Sequence, residues 1–129
     1  MSELLAEMIV GLGVDLVDVG RFAAALSRTP KLIPRLFGEP ELSGRKRSPN
    51  FLASRFAAKE ATLKALGGQI SGFCWHDIQV LGGVGQNPSL NLSGSTLIRT
   101  KETGASSWSI SISHDGEMAV AVVVMESGT

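Results

Sequence analysis

Two acidic side chains stand where acids are costly. Asp15 interrupts the apolar run Met-Ile-Val-Gly-Leu-Gly-Val-Asp-Leu-Val at residues 8–17, and Glu60 sits in the alanine-rich stretch at residues 50–66. A carboxylate inside an apolar element costs free energy unless a cation or hydrogen-bond donors meet it. Brought together, two such carboxylates are hard oxygen ligands for a divalent cation, and they leave most of its shell to water and phosphate oxygens. Each also has a plainer reading. Asp15 could cap a nearby helix, and Glu60 could pair with Lys64 one turn on, an exposed i,i+4 pair worth only about 0.2–0.5 kcal/mol.

A third cluster is Ser111, Ser113, His114 and Asp115, at the end of an alternating run. Neighbours in a strand point to opposite faces, so Ser113 and His114 do not make a nucleophile–base pair. A Gly-x-Ser-x-Gly elbow is also missing. His114 is then either a turn residue bonded to backbone or a phosphate contact. Gly11-Leu12-Gly13 lacks the third glycine of a dinucleotide fingerprint, and the chain has no Gly-x-x-x-x-Gly-Lys-Ser/Thr loop. A nucleotide must therefore be held by side chains and metal.

The elements that must position these groups follow from pattern. Residues 8–17 predict a mostly buried strand, with Asp18 as cap of a helix from Val19 to about Ser27. In that helix Phe22, Ala25 and Leu26 share an apolar face, while Arg21 and Arg28 share another. Pro30 and Pro34 break the chain into short helical pieces through Phe37, and residues 38–50 read as a surface loop. Residues 50–66 give the strongest helix signal, with Asn50 as cap and Gly67-Gly68 as stop. Trp75 to Leu81 and Ser89 to Ser93 read as a hairpin turning at Gly82–Gly85. Residues 94–103 read as a helix. The runs 108–113 and 118–125 read as strands joined across residues 114–117. The order implies an α+β fold, an antiparallel sheet with helices packed on it. Residues 1–129 are expected to form a single domain, frayed over residues 1–7.

Composition bounds the function classes. In 129 residues there is one cysteine, Cys74, which excludes an intrachain disulfide and a multi-cysteine zinc site. No run approaches the ~18 apolar residues of a membrane span. Glu3 and Glu7 do not suit a signal peptide, so a soluble cytoplasmic protein is expected. The formal net charge is zero, yet residues 21–55 hold eight cations, Arg21, Arg28, Lys31, Arg35, Arg45, Lys46, Arg47 and Arg55, against only Glu39 and Glu41. That asymmetry is either a solvated basic face or a docking region for an anionic partner. Aromatics are only 5% and are not interleaved with the basic run, which speaks against nucleic acid.

Three segments together carry a resemblance. Gly13-Val14-Asp15-Leu16-Val17-Asp18-Val19-Gly20-Arg21-Phe22 resembles the N-terminal motif of the holo-acyl-carrier-protein synthases, the short form of the 4'-phosphopantetheinyl transferase fold. Arg55-Phe56-Ala57-Ala58-Lys59-Glu60-Ala61, with Lys64-Ala65-Leu66-Gly67, resembles their central helix. Ser111–Asp115 resembles their C-terminal motif, and Trp75–Val80 a weaker one between. The resemblance implies transfer of phosphopantetheine from coenzyme A to a serine of an apo acyl carrier protein, with adenosine 3',5'-bisphosphate released. It implies that Asp15 and Glu60 hold magnesium and are catalytic together with Lys64, which lies near the transferred phosphate. It sets Arg55, His114, Lys64 and Gly67 toward coenzyme A, and Arg21, Arg28 and Lys31 toward the acidic carrier. It also implies a homotrimer with sites between subunits, and water in the place facing Val17, where the long form often has a further acid.

Physical chemistry agrees with that picture. Magnesium would neutralise diphosphate oxygens, Lys64 would offset charge on the transferring group, and Glu60 or a metal-bound water would take the serine proton. The strand at 118–125 is apolar on both faces, which in a chain of this size marks an interface. A phosphohydrolase, a nucleic-acid-binding module and a non-catalytic carrier-binding protein are the competing classes.

Overall fold

The computed structural model describes residues 8–82 and 87–128. The elements run β1 (Met8–Asp18), α1 (Val19–Arg28), α2 (Leu32–Leu36), α3 (Glu39–Leu42), α4 (Pro49–Ala65), β2 (Ile78–Leu81), β3 (Ser89–Leu92), α5 (Gly94–Thr103), β4 (Ser107–Asp115) and β5 (Met118–Ser127). Two antiparallel sheets result, one with strand order β1-β5-β4 and a smaller one made of β2 and β3. The α+β expectation holds. Residues 1–7, expected to be frayed, lie outside the described residues, as does most of the expected turn at Gly82–Gly85.

The long helix lies on the larger sheet at very short range, and small residues allow it. A Cβ added at Gly13 would overlap the carbonyl oxygen of Ala61, and one at Gly11 would overlap that of Ala65. The two glycines that fail as a phosphate loop are thus the floor on which α4 rests. Ala57, Ala61, Ala119, Ala121 and Val123 are fully buried along this contact. Strand β4 is tied to the smaller sheet by Trp108, whose Nε1 donates to the Leu90 carbonyl at 3.1 Å.

Several expectations change. β1 is an edge strand rather than a mostly buried one: its Gly11, Gly13, Asp15 face meets α4, while Leu12, Val14 and Leu16 are 54–65% exposed on the other. Strand β5, whose faces were the expected exposure risk, is central; Val120, Val122 and Val124 are half-buried, opposite Leu16, Val14 and Leu12. The cap of α4 is Ser48, which accepts from the Phe51 amide at 3.2 Å, and not Asn50. Pro49 follows Ser48 in the first turn, where a missing N–H costs nothing. The first residues of the expected 75–81 strand instead form a 3-10 turn, Trp75–Asp77. There the Asp77 carboxylate accepts from the amide and the hydroxyl of Ser95, at 3.0 and 2.6 Å, at the start of α5.

The expected loop at 38–50 hides a buried ion pair. Glu41 on α3 meets Lys59 of α4 at 2.8 Å, with both side chains fully inaccessible. Glu41 also accepts from the amides of Gly38 and Val80 at 3.0 and 3.1 Å, and Lys59 donates to the carbonyls of Trp75 and Ile78. Every charge-bearing atom is matched, which makes such burial tolerable. The pair fastens α3 and β2 to α4.

Candidate active site

Asp15 reaches the site from β1, on the face that meets α4. Glu60 and Lys64 come from α4, four residues and about one turn apart. All three line one open cleft of about 630 Å³, together with Asp18, Arg21, Phe22, Arg28 and Phe56. The i,i+4 pair between Glu60 and Lys64 does not form. Lys64 Nζ instead lies 2.9 Å from Asp15 Oδ1 and 3.2 Å from the Val14 carbonyl, so the helix cation reaches across to the strand. The cap expected of Asp18 is present: its Oδ1 accepts from the Arg21 amide at 2.9 Å. That leaves Asp15 free of any helix-capping duty.

The carboxyl of Glu60 is pushed up from its ordinary value, first by partial burial and then by the negative charge of Asp15, with Lys64 opposing. Lys64 is pushed up in turn by its hydrogen bond and charge contact with Asp15. Two carboxylates that feel each other in an open cleft, with no third His, Cys, Asp or Glu grouped with them among the described residues, are a donor set of two hard oxygens. That set fits a magnesium ion, which keeps several waters and shares phosphate oxygens.

Arg55 and His114 lie elsewhere. They line a second pocket of about 350 Å³ with Asn50, Phe51, Ser54, Pro88 and Ile112, sharing no residue with the first. Arg55 is 5% exposed; its Nη2 donates to the Gly82 carbonyl at 2.5 Å, and among the described residues its Nη1 is buried without a partner. Arg45 converges on the same carbonyl, and both guanidinium groups lie over the Phe51 ring. Burial, followed by Arg45's charge, pulls the Arg55 pKa down. Arg55 at the pocket wall, with Arg45 converging on it and an Nη1 unpartnered among the described residues, is suited to meet an anion. His114 is an exposed strand residue, not the turn residue of the plainer reading.

Gly67 stands exposed at the end of α4 with φ of +90°, outside both pockets, and Lys31 precedes α2 outside the cleft that holds Arg21 and Arg28. Sequence reasoning missed three contributors. Arg45 gave no signal beyond its charge. Arg99 of α5 donates to the carbonyls of Leu66 and Gly68 at 2.7 and 3.2 Å, closing the end of α4. Lys59 did give a signal, since it lies seven residues from both Leu52 and Leu66 and so shares their buried helix face.

The sequence model of the 4'-phosphopantetheinyl transferase superfamily matches residues 11–123. The chain belongs to that family and is a transferase of its class. The more particular likeness is to the holo-[acyl-carrier-protein] synthases. That of Salinispora arenicola is 50% identical over 122 residues, covering 92% of this chain and 99% of the relative. That of Streptomyces coelicolor is 47% identical over 121 residues, with 92% and 98% covered. Among solved structures, the Helicobacter pylori synthase in complex with coenzyme A superposes with a TM-score of 0.77 at 31% identity, covering 88% of this chain and 98% of that one.

Proposed function

We propose that the protein transfers 4'-phosphopantetheine from coenzyme A to a serine of an apo acyl carrier protein and releases adenosine 3',5'-bisphosphate. The observation that carries this reading is the convergence of Asp15, Glu60 and Lys64 in one open cleft, in a chain of this family. The CoA-bound relative supports coenzyme A as donor. Residues 1–129 act as one domain of the family's short form, a reading supported by coverage of nearly the whole length of the relatives.

In this reading Asp15 and Glu60 hold magnesium, which when bound neutralises the diphosphate as its bond to the transferred phosphorus breaks. Lys64 offsets negative charge on the transferring group. Glu60 or a metal-bound water takes the serine proton. Arg21 and Arg28 border the same cleft and meet the acidic carrier, with Lys31 beside them on the chain. Arg55 and His114 bind coenzyme A phosphate from the second pocket, a reading supported by the Arg55 Nη1, which has no partner among the described residues. Gly67 borders the coenzyme A path.

The two pockets share no residue in one copy, which supports a site completed by a neighbouring copy. The exposed strip of Leu12, Val14 and Leu16 supports self-association, and a homotrimer is the proposed assembly. The cytoplasm is the proposed compartment, which the free, exposed thiol of Cys74 suits. Among the described residues no helix is long and apolar enough to cross a membrane. Nucleic acid is not a proposed partner.

Intact-mass analysis of apo carrier incubated with the protein, coenzyme A and magnesium tests the reading. A gain of one phosphopantetheine is expected. Free phosphopantetheine without carrier would mean a hydrolase, and an unchanged mass despite carrier binding would mean a non-catalytic binder.

A further inference from the structure

Lys64 could have paired with Glu60 on its own helix, yet its ammonium sits on Asp15 Oδ1 at 2.9 Å and is steadied by the Val14 carbonyl at 3.2 Å. The Asp15 side chain is largely covered, whereas that of Lys64 is 55% exposed. Among the described residues Glu60 takes part in no ion pair. One of the two carboxylates in the cleft therefore already has a cation, and that cation is on a solvent-facing stem.

We propose that Lys64 is the resident counter-ion of Asp15, so that the protein binds a free divalent cation weakly and takes it up together with a diphosphate. This rests on the reading of Asp15 and Glu60 as metal ligands. A dication entering between the carboxylates would stand within a few ångströms of the ammonium, and like charges at that range oppose binding even in water. Lys64 can leave Asp15 readily because its stem is exposed and its head would be rehydrated. A diphosphate changes the balance, since it offers oxygens to the dication and to the released ammonium alike. The exchange then replaces the Lys64–Asp15 pair with contacts of the dication to both carboxylates and to the diphosphate, and of the ammonium to the diphosphate. Linkage makes the effect reciprocal: coenzyme A tightens the cation by the factor by which the cation tightens coenzyme A.

The test is Mn²⁺ binding followed by the free-ion electron paramagnetic resonance signal, with and without saturating coenzyme A and with no turnover needed. In the parent protein coenzyme A should tighten Mn²⁺ about tenfold or more. Lys64→Met should bind free Mn²⁺ about tenfold more tightly than the parent and show a smaller coenzyme A effect, keeping only the part that phosphate oxygens on the cation supply. Lys64→Arg, which keeps the charge, should behave like the parent. Lys64→Gln is the second neutral variant should the methionine chain not fold. A neutral variant that binds free Mn²⁺ no more tightly than the parent overturns the proposal. Asp15→Ala and Glu60→Ala separate the levels: if both keep the parent's Mn²⁺ affinity, the metal reading itself is wrong.

Discussion

Glu60 binds its proton more tightly in the folded chain than an ordinary glutamate does, because it is partly buried and faces Asp15. The sign of the consequence follows from linkage. Ionised Glu60 weakens the fold; the cost is absent below the ordinary carboxylate range and sets in as pH rises through it, becoming complete above the raised value. Glu60→Gln is therefore expected to raise the melting temperature at pH 7 by about 1–2 °C, with the gain vanishing in acid. Melting curves at several pH values check this. The same variant should lose about 10²-fold or more in turnover, so that it is more stable and less active. Asp15 and Glu60 were legible in the sequence because each breaks a pattern. The partner of Lys64 was not, because helical spacing points to Glu60 and the contact is made to a strand residue 49 positions away.

What brings β1 and α4 together is the absence of side chains. Gly11, Gly13 and Asp15 alternate along one face of the strand, and Ala57, Ala61 and Ala65 recur every four residues along the helix. Both periods were readable, and neither says that the two faces meet. Gly13→Ala is the sharp test, since the added Cβ would overlap the Ala61 carbonyl, which is backbone and cannot rotate away. A loss of about 1–3 kcal/mol is expected in urea unfolding. Activity should fall further than stability, because separating the elements moves Asp15 from Glu60 and Lys64 together. Full activity with Gly13→Ala would mean that close helix–strand approach does not set the site. The short helix α3 was unreadable for a different reason. Glu41 looks like a solvated acid in a loop, and only the buried Lys59 on another element turns it inward.

At the scale of the whole molecule, charge and apolar surface are both unevenly spread. Arg21 and Arg28 border the Asp15–Glu60 cleft from α1, both exposed. Arg21→Glu and Arg28→Glu should each raise the KM for carrier several-fold, leave coenzyme A affinity nearly unchanged, and remove much of the salt dependence of the reaction. The pattern sought is the split between the two substrates; equal losses for both would assign these arginines to the site itself.

The apolar imbalance leads to assembly. One face of the larger sheet is covered by α4, while the other presents Leu12, Val14 and Leu16 on β1 beside Val120, Val122 and Val124 on β5 and Ser109, Ser111 and Ser113 on β4. A row of exposed aliphatic side chains on an edge strand favours another copy of the sheet. Closed cyclic packing would cover it three times over around one axis, and would let Arg55 and His114 of one copy approach the Asp15 cleft of the next. Sedimentation equilibrium at micromolar concentration should give about three times the 13.6 kDa chain mass. Val14→Asp, which places a charge amid that strip, should yield folded monomers with little activity. Complementation then tests whether the site is shared. Glu60→Gln and His114→Ala are each expected to be inactive alone. Mixed, they should regain part of the parent rate, because some sites would draw Glu60 from a His114→Ala copy and His114 from a Glu60→Gln copy. A Val14→Asp monomer that keeps full specific activity on dilution would show that each chain carries a complete site.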